Sequence, residues 1–169
     1  MSENLNHISV VGSGAWGTAL AQLISKKNNV QMWVKERTVK LDINQNHFNR
    51  KFLPGVKLNK NIIATNNLNE LSNSKIIFLT IPVQYMSSIL KKMKKIVKDN
   101  VVFVCCSKGI EMNTLKLPSQ IVASNFPKYS IAVLSGPNFA EEISKGMPAA
   151  TLISADKIAT SKKIASLVQ

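Results

Sequence analysis

The chain has 169 residues, 45% of them hydrophobic, which suffices for one domain with a real core. Its apolar runs fall short of the ~20 residues of a membrane span, and MSENLNHIS lacks the basic-then-apolar order of a secretory signal, so a cytoplasmic protein without stable membrane insertion is expected. The net charge of +13 comes from lysines scattered among Asn and Ile, with Arg37 and Arg50 the only arginines; this is AT-rich codon usage rather than the arginine–aromatic stripe of a nucleic-acid site, and no nucleic-acid partner is expected, although such a field would gather phosphorylated ligands.

Along the chain the hydrophobic period switches back and forth. HISVV (7–11) predicts a strand, Trp16 to about Lys26 a helix with Leu20, Leu23 and Ile24 on its apolar face, and VQMWV (30–34) a second strand. Thr38 to Asn46 predicts a short helix, KFLPGVKL (51–58) a turn-rich loop and IIAT (62–65) a strand. IIFLTIP (76–82) is continuously apolar, as in a strand covered on both faces, with Pro82 as its stop. Gln84 to Val97 predicts a helix whose lysines fill the wet face, and VVFVCC (101–106) the next buried strand.

Cys105 and Cys106 are neighbours in that run and point to opposite faces, so a disulfide between them would be strained and two reduced core thiols are expected. With His7 and His47 as the only histidines and no C-x-x-C, a zinc site has no ligand set. Residues 117–126 predict a helix, IAVLS (131–135) a strand, GPNFAEEISKG a turn and short helix, AATLIS (149–154) a strand and 157–168 a helix. That helix runs to Gln169 without a stop signal, so a fragment or isolated domain is expected. Strand and helix units alternating at this length predict an α/β fold: a doubly wound, mostly parallel sheet with helices on both faces.

Gly12, Gly14 and Gly17 stand between the first strand and the first helix in the G-x-G-x-x-G spacing of the Rossmann dinucleotide fingerprint. Gly12 makes the tight turn, Gly14 lets a pyrophosphate approach the backbone, and Gly17 lets the helix pack close to the sheet. The helix N-terminus offers free N–H groups and a partial positive charge to phosphates. Thr18 stands where a phosphate-binding P-loop needs Lys, so that motif is excluded. At the end of the second strand an acid would bind the ribose hydroxyls of NAD and a cation the extra phosphate of NADP. Lys35 and Arg37 favour NADP(H) there, and Glu36 leaves NAD(H) open.

GSGAWGTALA, MWVKER, FLPG at 52–55, IPVQ at 81–84, SKGIE at 107–111 and SGPNFAEE at 135–142 occur in this order. Through them the chain resembles bacterial NAD(P)-dependent glycerol-3-phosphate dehydrogenases over essentially its whole length. The resemblance implies a cofactor loop of Gly12, Ser13, Gly14, Ala15, Trp16 and Gly17, with Trp16 beside the cofactor; Ala15 stands where relatives carry Ser, and Ser13 does not obviously replace that hydroxyl. It implies cofactor contacts at Lys35, Phe52, Lys108 and Ala140, and substrate contacts at Lys108, Gly136 and Asn138, the last often Thr or Ser in relatives. Glu141 and Glu142 read as acids favourable to a helix start. The implied reaction is hydride transfer between a nicotinamide and dihydroxyacetone phosphate or sn-glycerol 3-phosphate, for glycerophospholipid synthesis.

The family's proton-handling lysine and Arg–Asn substrate clamp belong to a helical second domain. That domain is expected beyond residue 169, so residues 1–169 are read as the NAD(P)-binding domain, inactive alone, of a protein that is a homodimer at full length. Two other readings stay open: the cofactor domain of another hydroxy-acid dehydrogenase, and a non-catalytic dinucleotide-binding module.

Overall fold

The computed structural model describes residues 7–169. Ile8–Val11 (β1), Val30–Trp33 (β2), Ile62–Thr65 (β5), Ile76–Leu79 (β6), Val102–Cys105 (β7), Ser130–Ser135 (β8) and Leu152–Ala155 (β9) form one seven-stranded sheet in the order β5-β2-β1-β6-β7-β8-β9. All pairs are parallel except β8–β9, which is antiparallel. The order reverses between β1 and β6, the switch point at which open α/β sheets bind ligands beyond the carboxyl ends of the strands.

The helices divide between the two faces of this sheet. Ala15–Ser25 (α1), Arg37–Leu41 (α2), Ala140–Ser144 (α5) and Ile158–Leu167 (α6) bury Leu20, Ile24, Val39, Ile143 and Ile164 against Ile8, Val10, Phe78 and Val104. Val83–Met93 (α3) and Pro118–Asn125 (α4) bury Met86, Leu90, Met93 and Ile121 against Val11, Ile77, Leu79 and Phe103. Alternate residues of each central strand thus feed opposite cores, which is why those strands read as unbroken apolar runs. The vicinal cysteines obey the same rule: Cys106 joins the first core and Cys105 the second, both as free thiols. Burial pushes the Cys105 thiol up to about 12. Among the described residues, no helix is long and apolar enough to cross a membrane.

Several stretches differ from the sequence expectation: the helix expected over Gln84 to Val97 ends at Met93, and the strand expected over 149–154 begins at Leu152. KFLPGVKL, expected as a loop, lies in a small antiparallel ribbon of Phe48–Asn49 (β3) and Leu53–Lys57 (β4). It forms because Leu53, Val56 and Leu58 drop into the first core while Pro54 and Gly55 stay exposed. The strand in IIFLTIP ends at Leu79, before Pro82. Past that end the Thr80 N–H still donates to the Val11 carbonyl at 3.0 Å, and its hydroxyl turns back to the carbonyls of Val11 and Gly12, at 3.0 and 3.1 Å.

Candidate functional site

The glycine turn is built around a steric demand at two of its glycines and an open margin at the third. Gly12 takes φ +119°, a conformation that disfavours any side chain, and its N–H donates to the carbonyl of Trp33 at 3.1 Å. A Cβ on Gly12 would lie 2.7 Å from Thr80 Oγ1, and one on Gly17 would run into the Gly12 carbonyl. Among the described residues, a Cβ on Gly14 would meet nothing within 4 Å. Nothing among the described residues therefore requires glycine at that position. Gly14 is the N-cap of α1, has no side-chain cap, and is followed by a first turn without an acidic residue. The helix end is left electropositive and bare beside open space, which fits the diphosphate of a dinucleotide.

Ser13 and Thr18 are held from below by a residue that motif reading missed. The fully buried Asn49 donates from Nδ2 to the Ser13 carbonyl at 2.9 Å and to Thr18 Oγ1 at 2.7 Å. Its Oδ1 accepts from the N–H of Phe52 at 3.3 Å. One amide thus ties the β3–β4 ribbon, and with it half-buried Phe52, to the glycine turn. In the sequence Asn49 stands between Phe48 and Arg50 in the polar run HFNRK, which carries no signal of its burial. Ala15 is exposed, while Ser13 is buried with its carbonyl already bonded.

Trp16, Thr80, Ile81, Lys108, Gly136 and Asn138 line one cleft at the carboxyl edge of β6, β7 and β8. Lys108 is exposed, and its Nζ reaches the Gly136 carbonyl at 3.4 Å. A Cβ at Gly136 would run into the Ala150 carbonyl, so the close pass between these segments needs glycine. Asn138 Oδ1 accepts from Thr151 Oγ1 at 3.0 Å, which fixes the amide with its Nδ2 side as donor. Ala140, half-buried, opens α5 and packs against the first core, outside the residues lining the cleft. Lys35 and Phe52 also lie outside that lining. Lys35 Nζ sits 5.9 Å from the centroid of exposed Tyr85, and Glu36 Oε2 accepts from Lys51 Nζ at 2.6 Å. A second concavity, lined by His7, Ser9, Gln31 and Glu70, lies at the amino ends of the strands, the wrong end for a ligand in this architecture.

The loop carrying Lys108 is clamped on both sides. Ser107 Oγ donates to the Ile81 carbonyl at 2.6 Å. Gln84, in the first turn of α3, donates to the Ile110 carbonyl at 2.9 Å and accepts from the Met112 N–H at 3.1 Å. Between those two bonds, Glu111 is buried at 6% exposure and accepts from Ser87 Oγ and Thr114 Oγ1. The Ser87 and Thr114 hydroxyls lower the Glu111 carboxyl below its ordinary value, with Lys116 and Lys91 adding to the shift against its burial. A carboxylate depressed by folding contributes stability above its unfolded value, and that contribution is lost as pH falls through the folded value. Glu111→Gln is therefore expected to destabilise the chain near neutral pH and to lose that difference as pH falls below the ordinary carboxylate range, read from thermal melts of both proteins; a pH-independent difference would remove the ionic role.

Comparisons with known proteins agree with this geometry. A family model described as the NAD-dependent glycerol-3-phosphate dehydrogenase N-terminus matches residues 7–161. A protein of Neorickettsia sennetsu named glycerol-3-phosphate dehydrogenase (NAD(P)+) is 44% identical over 140 residues, covering 82% of this chain and 42% of that one. The protein of the same name in Zymomonas mobilis is 40% identical over 154 residues, covering 91% of this chain and 44% of that one. The chain thus spans less than half the length of these relatives. In fold, it matches the crystal structure of glycerol-3-phosphate dehydrogenase from Coxiella burnetii with a TM-score of 0.92 at 24% identity, over 98% of this chain and 52% of that one. With its glycine turn at the switch point and the family match over nearly all of its length, this chain belongs to the NAD-dependent glycerol-3-phosphate dehydrogenase N-terminus family.

Proposed function

We propose that this chain is the dinucleotide-binding part of an NAD(P)-dependent glycerol-3-phosphate dehydrogenase. The whole protein would interconvert dihydroxyacetone phosphate and sn-glycerol 3-phosphate for glycerophospholipid synthesis, as a cytoplasmic homodimer. The observation that carries this reading is the cleft in which Lys108 faces Gly136 across from Trp16, at the carboxyl edge of the sheet and beside the bare start of α1. When bound, the nicotinamide supplies the hydride exchanged at C2 of the three-carbon phosphate.

The chain's own residues bind and orient. Gly14 and the first N–H groups of α1 receive the diphosphate. Trp16 walls the cleft and excludes water from it. Lys108 brings one positive charge to a substrate phosphate or a polarised oxygen, and Asn138 offers its Nδ2 as donor to a hydroxyl. The family resemblance gives Ala140 to the cofactor as well, although it packs at the start of α5 against the first core and off the cleft. Lys35 and Arg37 after β2 support NADP(H) ahead of NAD(H), because a 2′-phosphate needs cations there.

The proton-transferring lysine and the Arg–Asn clamp are assigned to a helical second domain of the longer protein. Phe139 and Leu152, 64% and 71% exposed, support that assignment, since they leave apolar surface at the rim where such a domain would dock. The test is calorimetric titration of the 169-residue chain with NADPH, NADH and a single-stranded DNA. Saturable binding of the nucleotides alone is expected, about tenfold weaker in Lys108→Ala, the usual scale for losing one charge-assisted hydrogen bond. No heat with either nucleotide would overturn the proposal.

A further inference from the structure

Resting on the dinucleotide reading above, we propose that the Lys51–Glu36 ion pair is an exchangeable selector at the ribose end of the site, with Lys51 as the residue that confers preference for the 2′-phosphate. Glu36 follows β2 by a few residues, where an acid in this fold accepts the ribose hydroxyls. In this chain that carboxylate is already engaged, since Lys51 Nζ lies 2.6 Å from its Oε2. An oxygen holding an ammonium is a poorer acceptor for a hydroxyl, and the paired carboxylate repels an incoming phosphate less than a bare one.

Lys51 reaches this position from the β3–β4 ribbon, not from the strand that carries Glu36. Asn49, two residues earlier, anchors that ribbon to Ser13 and Thr18, so Lys51 and the glycine turn belong to one braced unit. The neighbouring cations are differently placed, and exposed Arg37, which would add its charge to a 2′-phosphate, forms no ion pair with Glu36 among the described residues. Arg50 is bound to Asp42 and stacked 4.9 Å over Phe48. Lys35 leans over Tyr85. Lys51 is the cation that shares the carboxylate, with its Nζ 5.2 Å from the Phe52 centroid.

The pair is half in solvent, with side-chain exposures of 55% for Lys51 and 37% for Glu36. A pair so exposed is weak and breaks readily. A 2′-phosphate, carrying more charge than a carboxylate, draws the ammonium off Glu36. A 2′-hydroxyl leaves the ammonium in place and uses Glu36 Oε1, which makes no other hydrogen bond among the described residues. Two residues on separate elements thereby let one site take either dinucleotide, with Lys51 shifting the balance beyond what Lys35 and Arg37 contribute.

The test measures dissociation constants for NADPH and NADH with the 169-residue chain and its Lys51→Met and Glu36→Gln variants, by nucleotide fluorescence at fixed and at raised salt. Lys51→Met is expected to weaken NADPH about tenfold, to tighten NADH by freeing Glu36, and to flatten the salt dependence of NADPH binding. Glu36→Gln is expected to move the NADPH-to-NADH ratio the opposite way. Equal weakening of both nucleotides in Lys51→Met, or an unchanged ratio in both variants, overturns the selector while leaving the dinucleotide reading intact. Failure of the unsubstituted chain to bind either nucleotide overturns both.

Discussion

Gly17→Ala is expected to lower the melting temperature of the chain by about 10 °C, equivalent to about 3 kcal/mol for a domain of this size. The sign is informative, because alanine in an exposed helix interior is better than glycine by about 1 kcal/mol. Here the added Cβ would collide with the Gly12 carbonyl and lie 2.5 Å from Thr80 Oγ1. Neither atom can withdraw easily. Gly12 is buried at φ +119° and tied to Trp33, and Thr80 Oγ1 is bonded to the carbonyls of Val11 and Gly12. Relief therefore requires α1 to lift from the switch point, which strips contacts from Leu20 and Ile24 in the first core. Thermal melts by circular dichroism decide it: a melting temperature at or above that of the unsubstituted chain would mean that α1 does not rest on the glycine turn.

The same turn shows what sequence reading can and cannot reach. The central strands were legible because burial on both faces writes itself as an unbroken apolar run, as in Ile76–Leu79, where every residue is buried. The helices were legible from their single apolar stripe, as in Met86, Leu90 and Met93 of α3. The β3–β4 ribbon was not, because Pro54 and Gly55 inside β4 carry the signals of a turn, and what holds the ribbon is the burial of Leu53 and Val56 together with the amide of Asn49. The antiparallel direction of β9 was equally hidden, since alternation along AATLIS is the same whichever way the strand runs.

Around the cleft, the motifs located Trp16, Lys108, Gly136 and Asn138, and the fold brings these four together. The residues that hold them were silent. Thr80 bonds the Val11 carbonyl from 69 positions away, and Gln84 and Ser87 of α3 hold Ile110 and Glu111 in a loop distant from them in sequence. Backbone carbonyls carry no sequence signature, so a side chain whose partner is a remote carbonyl cannot be paired from the sequence alone. The Lys51–Glu36 pair has the same character: both charges are visible in the sequence, but their meeting depends on the ribbon folding back.

Gly14→Val is expected to leave the melting temperature within about 3 °C of the unsubstituted chain and to weaken nicotinamide dinucleotide binding about a hundredfold. Gly14 has φ −63° and ψ 177°, which valine adopts without strain, and its Cβ would meet nothing within 4 Å among the described residues. The described residues therefore give no reason for glycine there, in contrast to Gly12 and Gly17 a few residues to either side. A branched side chain at the N-cap would stand in front of the uncapped N–H groups of α1, the surface on which a diphosphate must close to hydrogen-bond distance. Loss of binding without loss of stability is the signature of a glycine kept for a ligand, and calorimetry paired with thermal melts reads both quantities on one sample. Undiminished affinity in a folded Gly14→Val chain would place the dinucleotide elsewhere, whereas a collapse in stability would make Gly14 a packing residue like Gly17.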